Sequence, residues 1–479
     1  MAKNLIPLAK WSQIKETLET IALQCADYSK CSDLRKGLHS ILLGLEKCSC
    51  LALSLDEPVG KLRTFKGLYD YYVFGDGHDM EAECKEFITQ LLPCLIKLVT
   101  SGLENSHISI PQTILAAEYL STSYSPSDID VYELRLPRSY VASLVASMFL
   151  CLVAEDKRSE FHWLDYSDFF FVLEQANRQK SQVAKYKMIV NYFRHIQCNG
   201  LPAGTMTFRR QVFSRPFEDL TEWSDSSMLC DFEVRDTGSI EDNPDEVLQT
   251  DFANEYIGGG TLSGGRVQEE IMFCACPELQ VSMLFMERMK KNESIQMKGF
   301  QPFSKYTGYS DSLEYAGPWE KEISRDDDGT PQTYVTAIDA IPFGADYRKQ
   351  YKPAFILRDL NKAYVGMHQP QPISTNKTSS QVHKRAVATG NWGCGVFGGD
   401  PQLKSLLLHI AATKAQCEKV IYYTFKDKRV DQLSEIAVML KGMRMESLMK
   451  LVLNYCGLNR AAKKTTSLFG YIKSEMSTT

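Results

Sequence analysis

The chain has 479 residues, of which 44% are hydrophobic and 24% are charged. This composition is that of an ordinary globular protein, and it excludes a fibrous, largely disordered or membrane-dominated chain. Lysine plus arginine is 54 and aspartate plus glutamate is 59, so the formal net charge is 54 − 59 = −5. A mildly acidic chain lacks the overall positive charge of proteins that bind bare DNA or RNA, so a polyanionic ligand needs a local pocket.

The amino-terminal sequence does not indicate a signal peptide, because charges come early and no apolar core follows. The longest apolar stretch, residues 139–154, is shorter than the roughly 18 residues of a membrane helix, and we predict a buried helix there. The 14 cysteines contain no C-x-x-C pair, which favours free thiols in a reducing compartment over a zinc site or disulfides. We therefore expect a protein of the nucleus or the cytoplasm.

The first two hundred residues are predicted to be helical. Apolar residues recur at helix spacing in successive segments, among them 14–25, 34–45, 87–95, 142–152 and 183–193. No fixed repeat period connects these segments, so a solenoid is not expected. The pattern changes near residues 198–204. We therefore predict a helical domain over 1–200 and a second domain over 201–479.

After this boundary, short β-branched or aromatic runs alternate with helical segments. The predicted strands are Leu229–Val234, Val247–Phe252, Ile295–Gly299, Tyr334–Ile341, Ala386–Ala388 and Val420–Phe425. The predicted helices are Val281–Met289, Gln402–Gln416, Val430–Leu440 and Glu446–Cys456. Strands interleaved with helices predict an α/β or mixed α+β domain. Ligands of such domains bind where strands end and loops begin, so the loops after the strands are the first candidates for a site.

The first candidate loop follows the strand that ends near Asp251. It contains Gly258, Gly259 and Gly260 in succession. Consecutive glycines allow a backbone to approach a ligand closely and to direct N–H groups into an anion site. A flexible surface loop is the alternative explanation of the same run.

Gln268, Glu269 and Glu270 follow this loop and open an apolar helical segment. Adjacent helix residues point about 100° apart, so we expect the two glutamates to have different roles. A carboxyl group beside another carboxylate has a raised pKa, which a general acid acting on a sugar leaving group requires. The alternative is a solvated helix start, where the helix dipole favours acidic residues.

A second glycine-rich loop, residues 389–400, lies between a short strand and a helix. Asp400 suits the N-cap and Pro401 the first helical position. A strand, a glycine loop and a helix N-terminus together can bind a phosphate or diphosphate through backbone amides. Aromatic residues near the two loops suit stacking on a base or ribose, with core packing as the alternative; they are Trp392, Phe397, Tyr309 and Phe425. The acidic segment 311–328 is predicted to be an exposed loop, with a lid as one option.

The glycine triplet, a seven-residue spacer and QEE together resemble the signature of poly(ADP-ribose) glycohydrolases, the enzymes that degrade poly(ADP-ribose). The resemblance continues through DFANEYIGGG, VQEEIMFCACPEL, YTGY, LNKAY, ATGNWGCGVFGGD and YYTF, in the family's order across residues 229–456. It implies a helical accessory domain followed by a macrodomain, a mixed sheet sandwiched by helices.

The resemblance also implies roles for individual residues. Glu270 resembles the acid that protonates the departing ribose oxygen, and Glu269 the partner that hydrogen-bonds ribose hydroxyls, with Asp251 and Asn254 as supporting polar groups. The loop from Gly393 to Gly399 resembles the family's diphosphate-binding loop, and residues 240–241 resemble its contacts to the adenine edge. The substrate-binding residues implied in this way are Ile240, Glu241, Asn254, Gly258, Gly259, Gly260, Gln268, Tyr309, Asn391, Gly393, Cys394, Gly395, Val396, Phe397, Gly398 and Phe425.

The function implied is hydrolysis of the ribose–ribose O-glycosidic bonds of poly(ADP-ribose), mainly from the chain end with some internal cutting. The implied partner is poly(ADP-ribose) on modified proteins, in the context of the DNA damage response. We expect no cofactor, no metal, no DNA, RNA or membrane contact, and a monomer. Two alternatives stay open: a macrodomain that reads ADP-ribose without cutting it, and a scaffold whose helical half recruits partners.

Overall fold

The computed structural model describes residues 8–27, 34–53, 62–75, 79–104, 128–153, 164–175, 180–243, 245–344, 346–369, 385–460 and 466–477. In these residues, a group of amino-terminal helices precedes an eight-stranded mixed sheet. Two large hydrophobic clusters lie on the two sides of the sheet. The predicted fold class, helices followed by a mixed sheet sandwiched by helices, is confirmed.

The amino-terminal helices α1 to α8 are Leu8–Asp27, Leu34–Leu53, Lys66–Phe74, Met80–Glu86, Leu92–Glu104, Arg138–Phe149, Ser167–Gln175 and Lys180–Asn199, with a π-helical turn at Phe87–Leu91. Most of the described residues in the apolar stripes predicted from spacing are buried; Ile14 and Leu18, for example, are fully inaccessible. Residues 139–149 of the long apolar stretch lie in α6, in which every residue except Ser139 is buried. Among the described helices, none has the length and apolar character needed to cross a membrane.

The sheet has the spatial order β1-β2-β5-β8-β4-β9-β10-β3. Its first four strands pair antiparallel and the others pair parallel. The strands are β1 Ile129–Pro137, β2 Thr205–Phe213, β3 Asp231–Arg235, β4 Leu248–Asp251, β5 Glu293–Lys298, β8 Tyr334–Ala337, β9 Val387–Gly390 and β10 Lys419–Tyr423, with a separate hairpin of β6 Ser304–Thr307 and β7 Glu314–Pro318. All six predicted strands are present.

The remaining helices cover the sheet. They are α9 Gln268–Ala275, α10 Pro353–Met367, α11 Pro401–Lys414, α12 Leu433–Leu440, α13 Met445–Arg460 and α14 Leu468–Ser477. Helix α9 packs in the same hydrophobic cluster as the amino-terminal helices, and α10 to α14 build the cluster on the other side. The helical half and the sheet therefore share one continuous core.

The strands β1 and β2 were not predicted, because charged residues interrupt their apolar pattern. Glu133 of β1 and Arg209 of β2 form an ion pair across the two strands. Each charge is therefore matched by a residue far away in the sequence. A local reading of either segment favours a loop or a helix.

One prediction was wrong, and a second was only partly correct. The helix expected at Val281–Met289 is instead a 3-10 segment, Pro277–Leu284, because the polar side chains of Glu278 and Gln280 are turned inward. Glu278 binds Arg138 and Gln280 binds Tyr166, partners that are distant in the sequence and leave no signal in the local pattern. The segment 311–328 was expected to be an exposed loop; β7 within it pairs with β6, whereas residues 319–328 lie outside the named strands and helices and are mostly exposed.

Candidate active site

Parallel pairing brings both glycine-rich loops to one edge of the sheet. Asp251 ends β4, Gly390 ends β9 and Tyr423 ends β10. These three strands are neighbours and run in the same direction, so their carboxyl ends lie side by side. The loops that follow β4 and β9 therefore face a common crevice, as open parallel sheets predict for a ligand site.

Glu269 and Glu270 begin α9 and are buried, with exposed fractions of 2% and 7%. Glu269 accepts hydrogen bonds from the amides of Asn254 at 2.8 Å and Gly258 at 2.7 Å. Glu270 accepts from the amide of Gly260 at 2.9 Å and, through its other oxygen, from the amide at position 267 at 2.9 Å. The two side chains thus bind different amides of one loop. This agrees with the prediction that adjacent residues of a helix point in different directions.

The glycines of the first loop make room for these carboxylates. Gly259 has a φ of +47°, and a Cβ there would lie 2.6 Å from an oxygen of Glu270 and 2.7 Å from one of Glu269. A Cβ at Gly265 would lie 2.7 Å from the carboxyl carbon of Glu270. The N–H groups of Gly258 and Gly260 point at the protein's own acids. The glycine run therefore encloses the two glutamates, and these two N–H groups are already occupied by the protein's own carboxylates.

Asp251 is fully buried close to the two glutamates. Neither of its carboxyl oxygens has a hydrogen-bond donor among the described residues. Burial, reinforced by the charges of Glu270 and Glu241, raises the pKa of Asp251 well above its usual value. Burial, with the charges of Asp251 and Glu270, raises the pKa of Glu269 in the same way. A proton on either acid allows the Asp251 and Glu269 carboxyls to hydrogen-bond to each other.

Gln268 connects this cluster to the adjoining loops. Its side-chain oxygen accepts from the amide of Phe252 at 2.8 Å, and its side-chain nitrogen lies 3.4 Å from a carboxyl oxygen of Glu241. Its backbone amide donates to the hydroxyl of Tyr309 at 3.2 Å. Ile240 and Glu241 belong to a 3-10 turn after β3, at the same edge of the sheet. The structure thus brings these predicted residues beside the glutamates.

Tyr309 and Phe425 form an aromatic pair at the rim of the crevice. Their rings meet edge to face with centroids 5.4 Å apart, and the side chains are 38% and 62% exposed. Phe425 has a φ of +52°, a backbone conformation that non-glycine residues rarely adopt. Two exposed aromatic faces and a strained backbone at a strand end are features of a ligand contact.

The first part of the second loop is structural. Asn391 donates to the carbonyl of Thr424 and accepts from the hydroxyl of Tyr422, both at 2.8 Å, and so ties β9 to β10. Trp392 is fully buried, and its indole donates to the carbonyl of Ile338 at 2.9 Å. Of the two roles considered for Trp392, stacking on a ligand or packing in the core, the structure therefore supports packing in the core. Cys394 is also buried, at 3% exposure.

The tip of the second loop faces outward. Val396 is 90% exposed. In the part of the chain that the structure describes, the backbone amides of Gly395, Val396 and Phe397 have no protein acceptor. Gly393 and Gly398 have φ values of +71° and +72°, which shape the turn. Unpaired amides directly before α11, which Asp400 caps, suit an anion held by backbone donors.

Sequence reasoning missed two basic residues at these loops. Lys185 of α8 donates from its ammonium to the carbonyls of Ser263 and Gly265 in the first loop, at 2.8 and 2.7 Å. Arg429 donates to the carbonyl of Cys394 at 3.0 Å. The one local signal for Lys185 is its place among buried residues of α8. Among the described residues, no cluster of His, Cys, Asp or Glu has the arrangement of a metal site.

The chain is similar to proteins of one family. Residues 220–432 match a family model described as poly(ADP-ribose) glycohydrolase, macro domain fold, and residues 80–210 match the model of its helical domain. The probable poly(ADP-ribose) glycohydrolase 2 of Arabidopsis thaliana is 32% identical over 457 residues, which cover 86% of each chain. Poly(ADP-ribose) glycohydrolase 1 of the same plant is 30% identical over 405 residues, 72% of this chain and 73% of that protein.

A crystal structure of a mutant poly(ADP-ribose) glycohydrolase from Deinococcus radiodurans, in complex with ADP-ribose, is also similar to part of this chain. The sequence identity is 18% and the TM-score 0.29, over 48% of this chain and 91% of that one.

Proposed function

The chain belongs to the poly(ADP-ribose) glycohydrolase family, and from this premise we propose that Glu270 is the general acid and base that cleaves the ribose–ribose bond. The observation that carries the proposal is the carboxyl cluster at the end of β4. Glu270 is the most exposed of its three acids, and two backbone amides hold it in place. Asp251 and Glu269 lie deeper and carry the raised pKa values.

In the proposed reaction, Glu270 donates its proton to the oxygen that links the two riboses. The bond between that oxygen and the anomeric carbon breaks, and positive charge develops on the sugar. A water then attacks the anomeric carbon and gives a proton back to Glu270, which restores the acid for the next cycle. The products are free ADP-ribose and a polymer shortened by one unit.

The two deeper acids have supporting roles in this proposal. Glu269 is anchored by the amides of Asn254 and Gly258, so its carboxylate is fixed for hydrogen bonds to ribose hydroxyls. Asp251 has no permanent donor and shares a proton with Glu269. The negative field of these acids stabilises positive charge on the sugar.

The substrate lies across the crevice in this proposal. The diphosphate binds the amides of Gly395, Val396 and Phe397, since their N–H groups lie at the exposed tip of the second loop and have no acceptor among the described residues. The adenosine lies against Tyr309 and Phe425 at the rim, with residues 240–241 at the adenine edge. By resemblance to the family, cutting proceeds mainly from the chain end, with some internal cleavage.

The central test is Glu270→Gln. We expect the rate of ADP-ribose release from labelled polymer to fall about a thousandfold, because the amide cannot supply the proton. Affinity for ADP-ribose in calorimetry should change by less than about threefold, since the diphosphate and adenosine contacts lie on other loops. The amide also leaves one of the two backbone donors unmatched, so a small loss of thermal stability is expected.

The matched control is Glu255→Gln in the same loop. Glu255 is paired with Arg288 at 2.8 Å on the outer surface, so its replacement should leave both turnover and affinity unchanged. A Glu270→Gln variant that still releases ADP-ribose at the wild-type rate would exclude the proposed role. Loss of ADP-ribose binding together with turnover would instead assign Glu270 to binding.

A further inference from the structure

A buried lysine from the helical half reaches the glycine-rich loop of the active site. Lys185 is fully inaccessible, and its ammonium donates to the carbonyls of Ser263 and Gly265 at 2.8 and 2.7 Å, with the carbonyl of Gly260 at 3.5 Å. The ring of Phe169 lies 5.3 Å from the charge. Three carbonyl dipoles thus match the three N–H bonds of the ammonium.

Burial of this ammonium is unfavourable on its own. In the described part of the chain, its polar partners are backbone carbonyls rather than a carboxylate. Burial accordingly lowers the pKa of Lys185. An apolar side chain of the same length would avoid the desolvation penalty, but it would leave the three loop carbonyls without their donor. A function for the charge or for its hydrogen bonds explains why a lysine stands here.

The carbonyls that Lys185 binds belong to the residues that enclose Glu270. Gly260 donates its N–H to Glu270 at 2.9 Å, and its carbonyl accepts from the amide of Gly265 at 3.0 Å. Gly265 packs so closely that a Cβ there would lie 2.7 Å from the carboxyl carbon of Glu270. A shift of this loop would therefore move both the donor and the wall that orient the Glu270 side chain.

We propose that Lys185 is a positioning residue for hydrolysis, which holds the 258–267 loop so that Glu270 stays aimed at the scissile bond. The inference rests on the proposed role of Glu270. It makes the helical half a working part of the active site, because α8 supplies the contact. The loops assigned to diphosphate and adenosine receive no bond from Lys185 among the described residues, so binding and turnover should separate.

The test is Lys185→Met, which keeps the length and loses the charge and the donors. We expect kcat on poly(ADP-ribose) to fall about 100-fold, because a misplacement of the acid by about 1 Å has an effect of this size. The Kd for ADP-ribose should stay within about threefold of the wild type. Lys185→Arg, which can still donate to the carbonyls, should recover a large part of kcat.

Lys362→Met is the matched control. Lys362 is also fully buried and donates to the carbonyls of Lys290 and Glu293, and it pairs with Asp339 at 2.6 Å, but it lies on α10, among the elements that cover the other side of the sheet. We expect it to lower the unfolding temperature as Lys185→Met does, with kcat within about threefold of the wild type. If Lys185→Met does not fold, Lys185→Gln, which keeps two donors without charge, takes its place with the same expectation of lower kcat and unchanged Kd.

Wild-type kcat in a folded Lys185→Met variant overturns the inference, and so does a loss of ADP-ribose affinity in proportion to kcat. An equal fall of kcat in Lys362→Met also overturns it, because general destabilisation then explains both. These outcomes leave the role of Glu270 intact, since that role is tested by the turnover and the ADP-ribose affinity of Glu270→Gln. The two proposals are thus tested separately.

Discussion

At the scale of single residues, the site concentrates acid where water is excluded. Asp251 is fully buried, and neither carboxyl oxygen has a donor in the described part of the chain. Glu269 and Glu270 add two more carboxyls beside it. Such a cluster destabilises the folded state, and proteins retain strongly perturbed acids of this kind mainly at functional sites. We therefore expect stability and activity to oppose each other at Asp251.

Asp251→Asn should raise the free energy of unfolding at pH 7 by about 1–3 kcal/mol, and it should lower the rate of hydrolysis. The folded-state pKa of Asp251 is raised, so the unfolded chain releases this proton at a lower pH than the folded protein does. The destabilisation is therefore absent below the ordinary pKa of 3.8 and grows as the pH rises toward the folded-state value. Urea denaturation of both proteins from pH 4 to pH 8 measures the effect.

The control is Asp327→Asn, because Asp327 is exposed to solvent. The free energy of unfolding of this variant should equal that of the wild type at each pH. A stability gain of Asp251→Asn that stays the same from low to neutral pH would contradict the explanation by proton affinity.

At the scale of elements, the two glycine-rich loops use glycine for different purposes. The first loop folds around the protein's own carboxylates, and its N–H groups are occupied by Glu269 and Glu270. The second loop keeps the amides of residues 395–397 unpaired among the described residues. The second loop is therefore the one suited to an external anion. Composition alone does not distinguish the two, because both are rich in glycine and lead into a helix.

Gly395→Val should weaken ADP-ribose binding by about tenfold or more without lowering the unfolding temperature. A Cβ at Gly395 meets no protein atom within 4 Å, so the added side chain crowds only the ligand. Calorimetry with ADP-ribose and thermal denaturation measure the two effects.

Gly398→Val provides the contrast. Its φ of +72° makes any side chain strained, by about 1–2 kcal/mol, so this variant should lose stability as well as affinity. Unchanged affinity in Gly395→Val would refute the placement of the diphosphate at this loop.

At the scale of the whole molecule, a buried ion pair joins the helical half to the catalytic half. Arg138 begins α6, and its guanidinium binds both carboxyl oxygens of Glu278 at 2.8 and 2.9 Å. Glu278 lies just after α9, the helix that carries Glu269 and Glu270. An arginine opposes the dipole at a helix start, but Glu278 neutralises its charge. The pair fixes α9 against the amino-terminal helices.

Arg138→Met should lower the free energy of unfolding by about 3–5 kcal/mol, because Glu278 is then left buried without its partner. The double variant Arg138→Met with Glu278→Met should recover most of this loss, since no uncompensated charge remains. Urea denaturation midpoints of the two variants decide between the possibilities. Equal stability of the single and double variants would show that the buried charge is not the cause.

Local patterns in the sequence were sufficient to predict the types of most elements and the two loops of the site. Helix periodicity, strand runs and glycine spacing are local, so the six predicted strands and the helix caps at Asp400 and Pro401 are present in the structure. The motif that ends in Glu270 was also sufficient to indicate the family. These features depend on neighbouring residues, whose preferences act over a few positions.

Other features depended on tertiary structure, because their partners are distant in sequence. Lys185 contacts a loop 75 to 80 residues away, and the pair of Arg209 and Glu133 that completes β1 and β2 spans 76. The Asp251 carboxyl is likewise shut off from water only in the folded chain, where Glu241, Glu269 and Glu270 come close to it. A charge in a helix or strand has no local signal of its partner, so only the folded chain decides whether it is exposed, paired or held beside the site.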